Sequence, residues 1–291
     1  MTNIINGSKI ANTILSEIKE EVIKYSYIGT PSIVVIQIGE RKDSSIYVKK
    51  KKEACNNVGI NFLINNLDVN TSNNKLCELI EKLNNDDSIH GIIVQLPIPI
   101  HLDEAKILSK ISYFKDIDGF HSQNIGNLAM NKRSPLFIPS TPLGCMELLK
   151  RENIVISGKH VVIIGKSNIV GLPMALLLLK AMATVTVCHI ETTNIEMHLK
   201  SADIVITACG VPKYIKKEWL KIGVIVIDVG INTIEDSSNK KGYRLVGDVD
   251  FDNVKKIANK ITPVPGGVGP MTVAMLLLNT LKSFKNFNGI N

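Results

Sequence analysis

Aromatic residues are scarce in this chain: Phe, Trp and Tyr make up 5% of 291 residues, with a single tryptophan. That leaves too little ring surface for a stacking platform of the kind that binds nucleic acid. Cysteine is sparse as well. Cys55, Cys77, Cys145, Cys188 and Cys209 show neither the spacing of a metal knuckle nor that of a redox pair. An odd, scattered set fits reduced thiols in a cytoplasmic protein, and no metal site is expected. Long apolar runs are missing too. The longest, around Met174 to Leu179, has the pattern of an ordinary amphipathic helix, so no membrane span is expected. The opening Met1 to Gly7 lacks a basic region followed by an apolar stretch, so no signal peptide is expected. The net charge is +7, spread along the chain apart from one cluster at Lys49 to Lys52. This favours an anionic small molecule or a weakly basic surface over a nucleic-acid reader.

What is present is alternation. Strand-like runs at 32–38, 61–67, 91–96, 160–164, 184–188, 204–207 and 224–229 are interleaved with helical patterns at 8–25, 44–58, 75–84, 103–112, 172–182 and 270–284. Such alternation predicts parallel βαβ units and an α/β fold. Ser8 and Thr141 are predicted helix N-caps, the latter with Pro142 at the first helical position. The polar stretch 121–140 reads as a connection between two α/β domains.

Five segments carry candidate chemistry. In the predicted helix 44–58, a rotation of roughly 100° per residue separates the four consecutive lysines. Tyr47, Val48, Lys51, Ala54, Cys55 and Val58 share one face, with Lys51 near its centre. Lys49 and Lys52 point away, and Lys50 lies at the edge. A lysine in an apolar stripe either snorkels to water or has its pKa lowered until it works as a proton acceptor. The apolar strand 91–96 closes on Gln95, whose amide both donates and accepts, at the strand end where parallel sheets bind ligands. Asp118, in Asp116-Ile117-Asp118-Gly119, is either a turn carboxylate or an acceptor for the adjacent N–H donors of an amino-pyrimidinone edge.

The segment 159–173 reads strand, loop, helix. Gly165 is followed by Ser167 and Gly171, a loose match to a dinucleotide fingerprint in a fitting context, so its amides and helix N-terminus suit a pyrophosphate. Lys166 suits a 2′-phosphate, whereas Glu191 after the next strand suits a free ribose 2′-hydroxyl. Near the end, Pro263-Val264-Pro265-Gly266-Gly267 marks a rigid turn where backbone approaches something closely.

Together these motifs resemble the bifunctional methylenetetrahydrofolate dehydrogenase/cyclohydrolase family. The resemblance rests on Ser45 to Lys51, Val94 to Pro97, Asp116 to Phe120, Gly165 to Pro173 and Pro263 to Thr272, in that order. It implies a catalytic Lys51 with Tyr47 and Gln95 beside it, and Asp118 on the pterin ring. It implies Val264, Pro265 and Gly266 along the folate pocket, which Tyr47 also lines. Gly165, Lys166 and Ser167 would meet the cofactor phosphates, with Ile190 at the 2′-phosphate position and Ile231 near the nicotinamide. Three positions depart from the family pattern. Lys166 stands where arginine is usual, Ile190 where serine is common, and Ser140 where cysteine is usual. The first two weaken a 2′-phosphate site, because lysine offers no bidentate fork and isoleucine no hydrogen bond. NADP is the expected cofactor, with NAD as the alternative.

The implied fold is an N-terminal α/β catalytic domain, residues 1–138, completed by the C-terminal helix 268–291. A central Rossmann-like domain, residues 139–267, would follow, with the ligand cleft between the two. The expected substrates are tetrahydrofolate derivatives, with Lys49, Lys50 and Lys52 as candidates for holding a polyglutamate tail. The expected assembly is a cytoplasmic homodimer.

Overall fold

The computed structural model describes residues 3–39, 42–239 and 242–290. In chain order it forms β1 (Asn3–Ile4), α1 (Gly7–Lys24), β2 (Ser32–Ile38), α2 (Lys42–Val58), β3 (Asn61–Leu67), α3 (Asn73–Asn84), β4 (Gly91–Val94), α4 (Glu104–Ser109) and α5 (Ser122–Ala129). There follow α6 (Ser140–Arg151), β5 (His160–Ile164), α7 (Gly171–Lys180), β6 (Thr184–Cys188), α8 (Ile195–Ser201), β7 (Ile204–Thr207) and β8 (Ile225–Asp228). The chain ends with β9 (Asn232–Glu235), β10 (Tyr243–Val246), α9 (Phe251–Val254), β11 (Lys260–Ile261) and α10 (Val268–Phe287). It divides into two compact α/β units, Asn12–Ser140 with Val273–Asn291, and Met1–Ala11 with Thr141–Thr272.

In the first of these units, three parallel strands lie in the order β3-β2-β4. Every residue of β2 is buried, as expected for a continuous apolar run in the centre of a parallel sheet. Val34 and Ile36 of β2 and Ile92 and Val94 of β4 pack with Leu76 and Ile80 of α3 and Ile107 of α4. β4 is shorter than its apolar run. Gln95 adds one further ladder bond, its N–H donating to Ile36 O at 2.9 Å, before Pro97, which has no N–H. The stretch 121–140 is not simply a connection, because it contains α5. Its buried face includes Asn124, and a polar residue on that face hides the helical period.

In the other unit, six parallel strands run in the order β1-β11-β8-β7-β5-β6, and β9 and β10 form a separate antiparallel pair. The first eleven residues pack within this unit. The reason is that β1 pairs with β11, Asn3 opposite Lys260 and Ile4 opposite Ile261. Two residues are too few for periodicity to reveal. Two predicted caps are replaced. Asn6 caps α1, its Oδ1 accepting from Lys9 N–H at 2.9 Å, while Ser8 N–H donates to Gly266 O. α6 starts at Ser140, and the Thr141 hydroxyl lies 3.0 Å from that of Thr272. Among the described residues, no helix is long and apolar enough to cross a membrane.

The C-terminal part of α10 ties the first unit together through polar contacts. Asn279 is buried, and its Nδ2 donates to Ile117 O at 2.8 Å and Ile138 O at 2.9 Å. The Ser283 hydroxyl reaches His90 O and Phe114 O. Asn279→Ala leaves one buried and one half-buried carbonyl without this donor and is expected to destabilise the chain by about 2–4 kcal/mol. Denaturant unfolding measures this. A loss below about 0.5 kcal/mol, the range of ordinary surface changes, would show that these bonds are not needed.

Candidate functional site

The helical phase read from the sequence is the phase observed along the described part of α2. Val48, Cys55 and Val58 are buried, Tyr47, Lys51 and Ala54 half-buried, and Lys49, Lys50, Lys52 and Glu53 exposed. The side chains of Ser45 and Ile46 lie outside the described residues. Lys51 Nζ donates to Gln95 Oε1 at 3.1 Å, and Gln95 Nε2 donates onward to Leu96 O at 2.9 Å. The glutamine amide is thereby oriented with its oxygen toward the lysine. Burial pushes the Lys51 pKa below the usual lysine value, and the charge of Asp118 opposes that shift. Beneath Lys51, burial raises the Cys55 thiol to about 12, so it is neutral near pH 7 and adds no charge. Lys50 Nζ lies 6.0 Å from the Tyr47 ring centroid, at the long limit of a cation–π contact.

Asp118 is half-buried at the turn after α4, and burial raises its pKa while Lys51 lowers it. Lysine and aspartate thus feel each other's charge, and each is disfavoured as an ion by its surroundings. The turn is held by Asp116, which is buried. Its carboxylate accepts from Phe120 N–H (3.2 Å), His121 N–H (2.8 Å) and Asn124 Nδ2 (2.8 Å). Burial lifts its pKa to about 7 against the pull of these donors. Asn124 Oδ1 in turn accepts from Phe137 N–H.

The second group of predicted residues sits at the C-terminal edge of the six-stranded sheet. Gly165 N–H donates to Cys188 O at 2.8 Å, which joins the ends of β5 and β6. Gly165 has φ of +119°, and an added Cβ would lie 2.3 Å from Ala208 O, so the residue must be glycine. Lys166 and Ser167 are exposed, and Ser167 Oγ accepts from Val170 N–H at 3.2 Å. Val170, at the N-cap of α7, supplies no side-chain acceptor. The amides of Lys166, Ser167 and Asn168 meet no acceptor among the described residues. Free N–H groups just ahead of a ten-residue helix fit an anionic phosphate, so the loop fits a dinucleotide. Ile190 is 94% exposed just past the end of β6. Ile231 is 42% exposed, three residues beyond the end of β8.

Lys51, Tyr47, Gln95 and Asp118 thus share one unit, while Gly165, Lys166, Ser167, Ile190 and Ile231 share the other. Val264, Pro265 and Gly266 lie in the latter too, and Ser8 fixes the turn by donating N–H to Gly266 O. A cavity of about 510 Å³ elsewhere in the first unit is lined by His90, Phe114, Lys115, Ser283 and Phe287 among others. Several of its polar groups are already committed. Lys115 Nζ donates to Leu83 O and Asp86 O, Ser283 to two carbonyls, and His90 Nδ1 accepts from Ser32 N–H.

Three carboxylates at these sites were not singled out in the sequence: Asp116, Asp228 and Asp248. Each is at least 97% buried. The available signal was an acidic residue closing an apolar strand, as Asp228 does at the end of Ile225-Val226-Ile227-Asp228. Among the described residues, no group of His, Cys, Asp and Glu side chains has the arrangement of a metal site.

Comparison with known proteins places this geometry. The family model of the tetrahydrofolate dehydrogenase/cyclohydrolase catalytic domain matches residues 5–118, and that of the family's NAD(P)-binding domain matches 139–288. A bifunctional FolD protein of Arabidopsis thaliana is 52% identical over 288 residues, covering 98% of this chain and 96% of its own. The crystal structure of the bifunctional FolD enzyme of Campylobacter jejuni superposes with a TM-score of 0.92 at 46% identity, covering 98% of this chain and 99% of the other. The methylenetetrahydrofolate dehydrogenase-cyclohydrolase of Trypanosoma brucei, solved with NADP and an inhibitor, gives a TM-score of 0.94 at 43% identity, covering 98% of each chain. With both family models matched and the likeness running along nearly the whole sequence, this chain belongs to the tetrahydrofolate dehydrogenase/cyclohydrolase family.

Proposed function

We infer that the chain oxidises 5,10-methylenetetrahydrofolate to 5,10-methenyltetrahydrofolate and hydrolyses that product to 10-formyltetrahydrofolate. The observation that carries the hydrolytic half is the half-buried Lys51, bonded to Gln95 at 3.1 Å with its pKa lowered by burial. Water adding to the cationic methenyl carbon must lose a proton, and neutral Lys51 takes it. The resulting ammonium returns a proton to N5 as the C–N5 bond breaks. The hydroxyl proton is released as the formyl C=O forms, so one proton leaves overall. Gln95 holds the amine in place through both transfers, and Tyr47, one helical turn before Lys51, screens the site from water. Asp118 accepts from the adjacent N–H donors of the pterin ring. The catalytic, folate-binding domain is the unit built on Asn12–Ser140 and Val273–Asn291, and the unit holding Thr141–Thr272 binds the nucleotide.

Bound NADP supplies the hydride acceptor for the methylene carbon. The free amides of 166–168 would hold its pyrophosphate and the Lys166 ammonium its 2′-phosphate, Ser167 would shape the loop, and Ile190 and Ile231 would be the residues for the 2′-phosphate and nicotinamide ends. Val264, Pro265 and Gly266 are further candidates for substrate binding. The bare, 94% exposed Ile190 is the feature that favours NAD as a second reading. The assembly is a homodimer. Free thiols, four of the five buried, fit a reducing cytoplasm.

Lys51→Met is expected to lower cyclohydrolase turnover by about 10²–10⁴-fold, the usual worth of a general acid–base group, with folate affinity little changed. Near wild-type hydrolysis of methenyltetrahydrofolate would exclude the role. The pH profile gives a second test. The Asp118 charge raises the Lys51 pKa, so removing it lowers that pKa further. In Asp118→Asn, activity at saturating folate should therefore persist to lower pH, its acid limb displaced downward, while folate binding weakens. An acid limb that stays in place or moves upward would refute the coupling.

The cofactor is tested at Lys166. Because this lysine is exposed, its attraction to a 2′-phosphate is screened, and Lys166→Ala should raise KM for NADP about fivefold and leave KM for NAD unchanged. Equal effects on both cofactors would count against the 2′-phosphate contact. Exposed Lys49, Lys50 and Lys52 are proposed to attract a polyglutamate tail. A preference for polyglutamylated substrate that falls as salt rises from 50 to 300 mM is the expected sign. A salt-independent preference would exclude it. Sedimentation reads the dimer directly, and a monomer at assay concentration would exclude it.

A further inference from the structure

Asp228, the last residue of β8, is 3% exposed, and Asp248, shortly after β10, is fully buried. Neither makes an ion pair among the described residues. Their negative charge is held instead by backbone and side-chain donors. Asp228 Oδ1 accepts from the Thr207 hydroxyl and from the amides of Gly230 and Asp248, each at 3.0 Å. Its Oδ2 accepts from Val249 N–H at 2.9 Å. Asp248 Oδ2 accepts from Cys209 N–H at 2.7 Å and Gly210 N–H at 3.1 Å, and its Oδ1 from Asn232 Nδ2 at 2.9 Å. The fit is close. A Cβ on Gly230 would lie 2.2 Å from Asp248 Oδ1, and one on Gly247 would lie 1.8 Å from Asp228 Oδ2.

Of the groups held this way, the amides of Cys209 and Gly210 belong to the loop after β7 and that of Gly230 to the loop after β8, at the edge of a parallel sheet where ligands bind, while the amides of Asp248 and Val249 belong to the segment after β10. The loop after β7 presents Ala208 O, against which Gly165 packs, and then Val211, 46% exposed. The loop after β8 carries Ile231, with Gly230 on one side bound to Asp228 and Asn232 on the other bound to Asp248. Two exposed apolar side chains therefore stand on backbone that is fixed from beneath by charge-assisted hydrogen bonds.

We propose that Asp228 and Asp248 are positioning residues for the dehydrogenase half-reaction: they clamp the loops after β7 and β8 so that Val211 and Ile231 flank the nicotinamide end of the dinucleotide. The proposal rests on the nucleotide-dependent function inferred above. The two carboxylates touch no substrate. They replace water as the partner of five backbone amides, those of Cys209, Gly210, Gly230, Asp248 and Val249, so that binding does not have to order that backbone. The cyclohydrolase step consumes no nucleotide and uses Lys51 and Gln95 in the other unit, so it serves as an internal control.

The test compares Asp248→Asn with the unsubstituted chain and with Val254→Ala, a truncation in the apolar core of the same unit. Asparagine places an NH₂ against either the Cys209 and Gly210 amides or the Asn232 amide, so one side of the clamp is lost. NADP affinity is read by calorimetric titration, dehydrogenase activity at varied NADP, cyclohydrolase activity on methenyltetrahydrofolate without nucleotide, and thermal unfolding for all three proteins. In Asp248→Asn, Kd and KM for NADP should rise about tenfold or more, the worth of a charge-assisted bond, with cyclohydrolase turnover within about twofold. Val254→Ala should lose comparable thermal stability and keep its NADP affinity. Asn232→Ala, which removes a single bond, should raise Kd about threefold and decides the matter if Asp248→Asn does not fold. Unchanged NADP affinity in these clamp variants would overturn the proposal, as would an equal loss in Val254→Ala or a parallel fall in cyclohydrolase. If the unsubstituted chain neither binds nor reduces NADP, the inferred function itself fails and the proposal with it.

Discussion

The hydrogen bond from Lys51 Nζ to Gln95 Oε1 depends on almost everything around it. It requires a helix whose apolar face, Val48, Cys55 and Val58, carries the lysine down beside the sheet. It also requires β4 to end where its next residue can turn an amide oxygen toward the ammonium. Gln95 achieves this by spending its own N–H on Ile36 O and its Nε2 on Leu96 O. An amide is a better partner here than a carboxylate. It positions the amine without adding a full charge that would restore the lysine's pKa. The full charge nearby belongs to Asp118, which raises the Lys51 pKa only part of the way against burial. The lowered Lys51 pKa results from two opposed effects, desolvation and one aspartate, with desolvation the larger.

Much of this was legible in the sequence because it depends on local pattern. The bounds of β2, β3, β5, β6 and β7 coincide with the strand-like runs of the sequence, and the phase of α2 separated Lys51 from its lysine neighbours with no knowledge of the fold. What was not legible depends on residues far apart in the chain. β1 exists because Asn3 and Ile4 find β11 near the other end of the sequence. α5 carries a buried asparagine, which reads as loop until its partners Asp116 and Phe137 are seen. Ser8 and Thr141 satisfy the rules for an N-cap, but tertiary partners claim both residues, Gly266 and Thr272 respectively. Asp248 bonds to an amide 39 residues earlier in the chain, a pairing that no spacing rule anticipates.

The two units solve the same problem in the same way. A loop that presents a side chain in a fixed position must be rigid, yet its backbone amides cannot all join regular structure. In the first unit, buried Asp116 gathers the amides of Phe120 and His121 and thereby shapes the turn that presents Asp118. In the other, Asp228 and Asp248 gather the amides just ahead of the exposed Val211 and Ile231. Among the described residues, none of the three makes an ion pair. An arginine partner would neutralise the charge but would occupy donors and space at the very edge where the ligand enters. Backbone amides do neither, since they are the groups that need an acceptor. Burial pushes Asp116 to about 7 and Asp228 to about 6, which measures how strongly these sites resist a bare charge. The opposing donors stabilise each carboxylate only while the loops stay in place. The same interaction that makes the charge tolerable therefore makes loop movement unfavourable, and a rigid ligand edge follows from the electrostatics of the carboxylate beneath it.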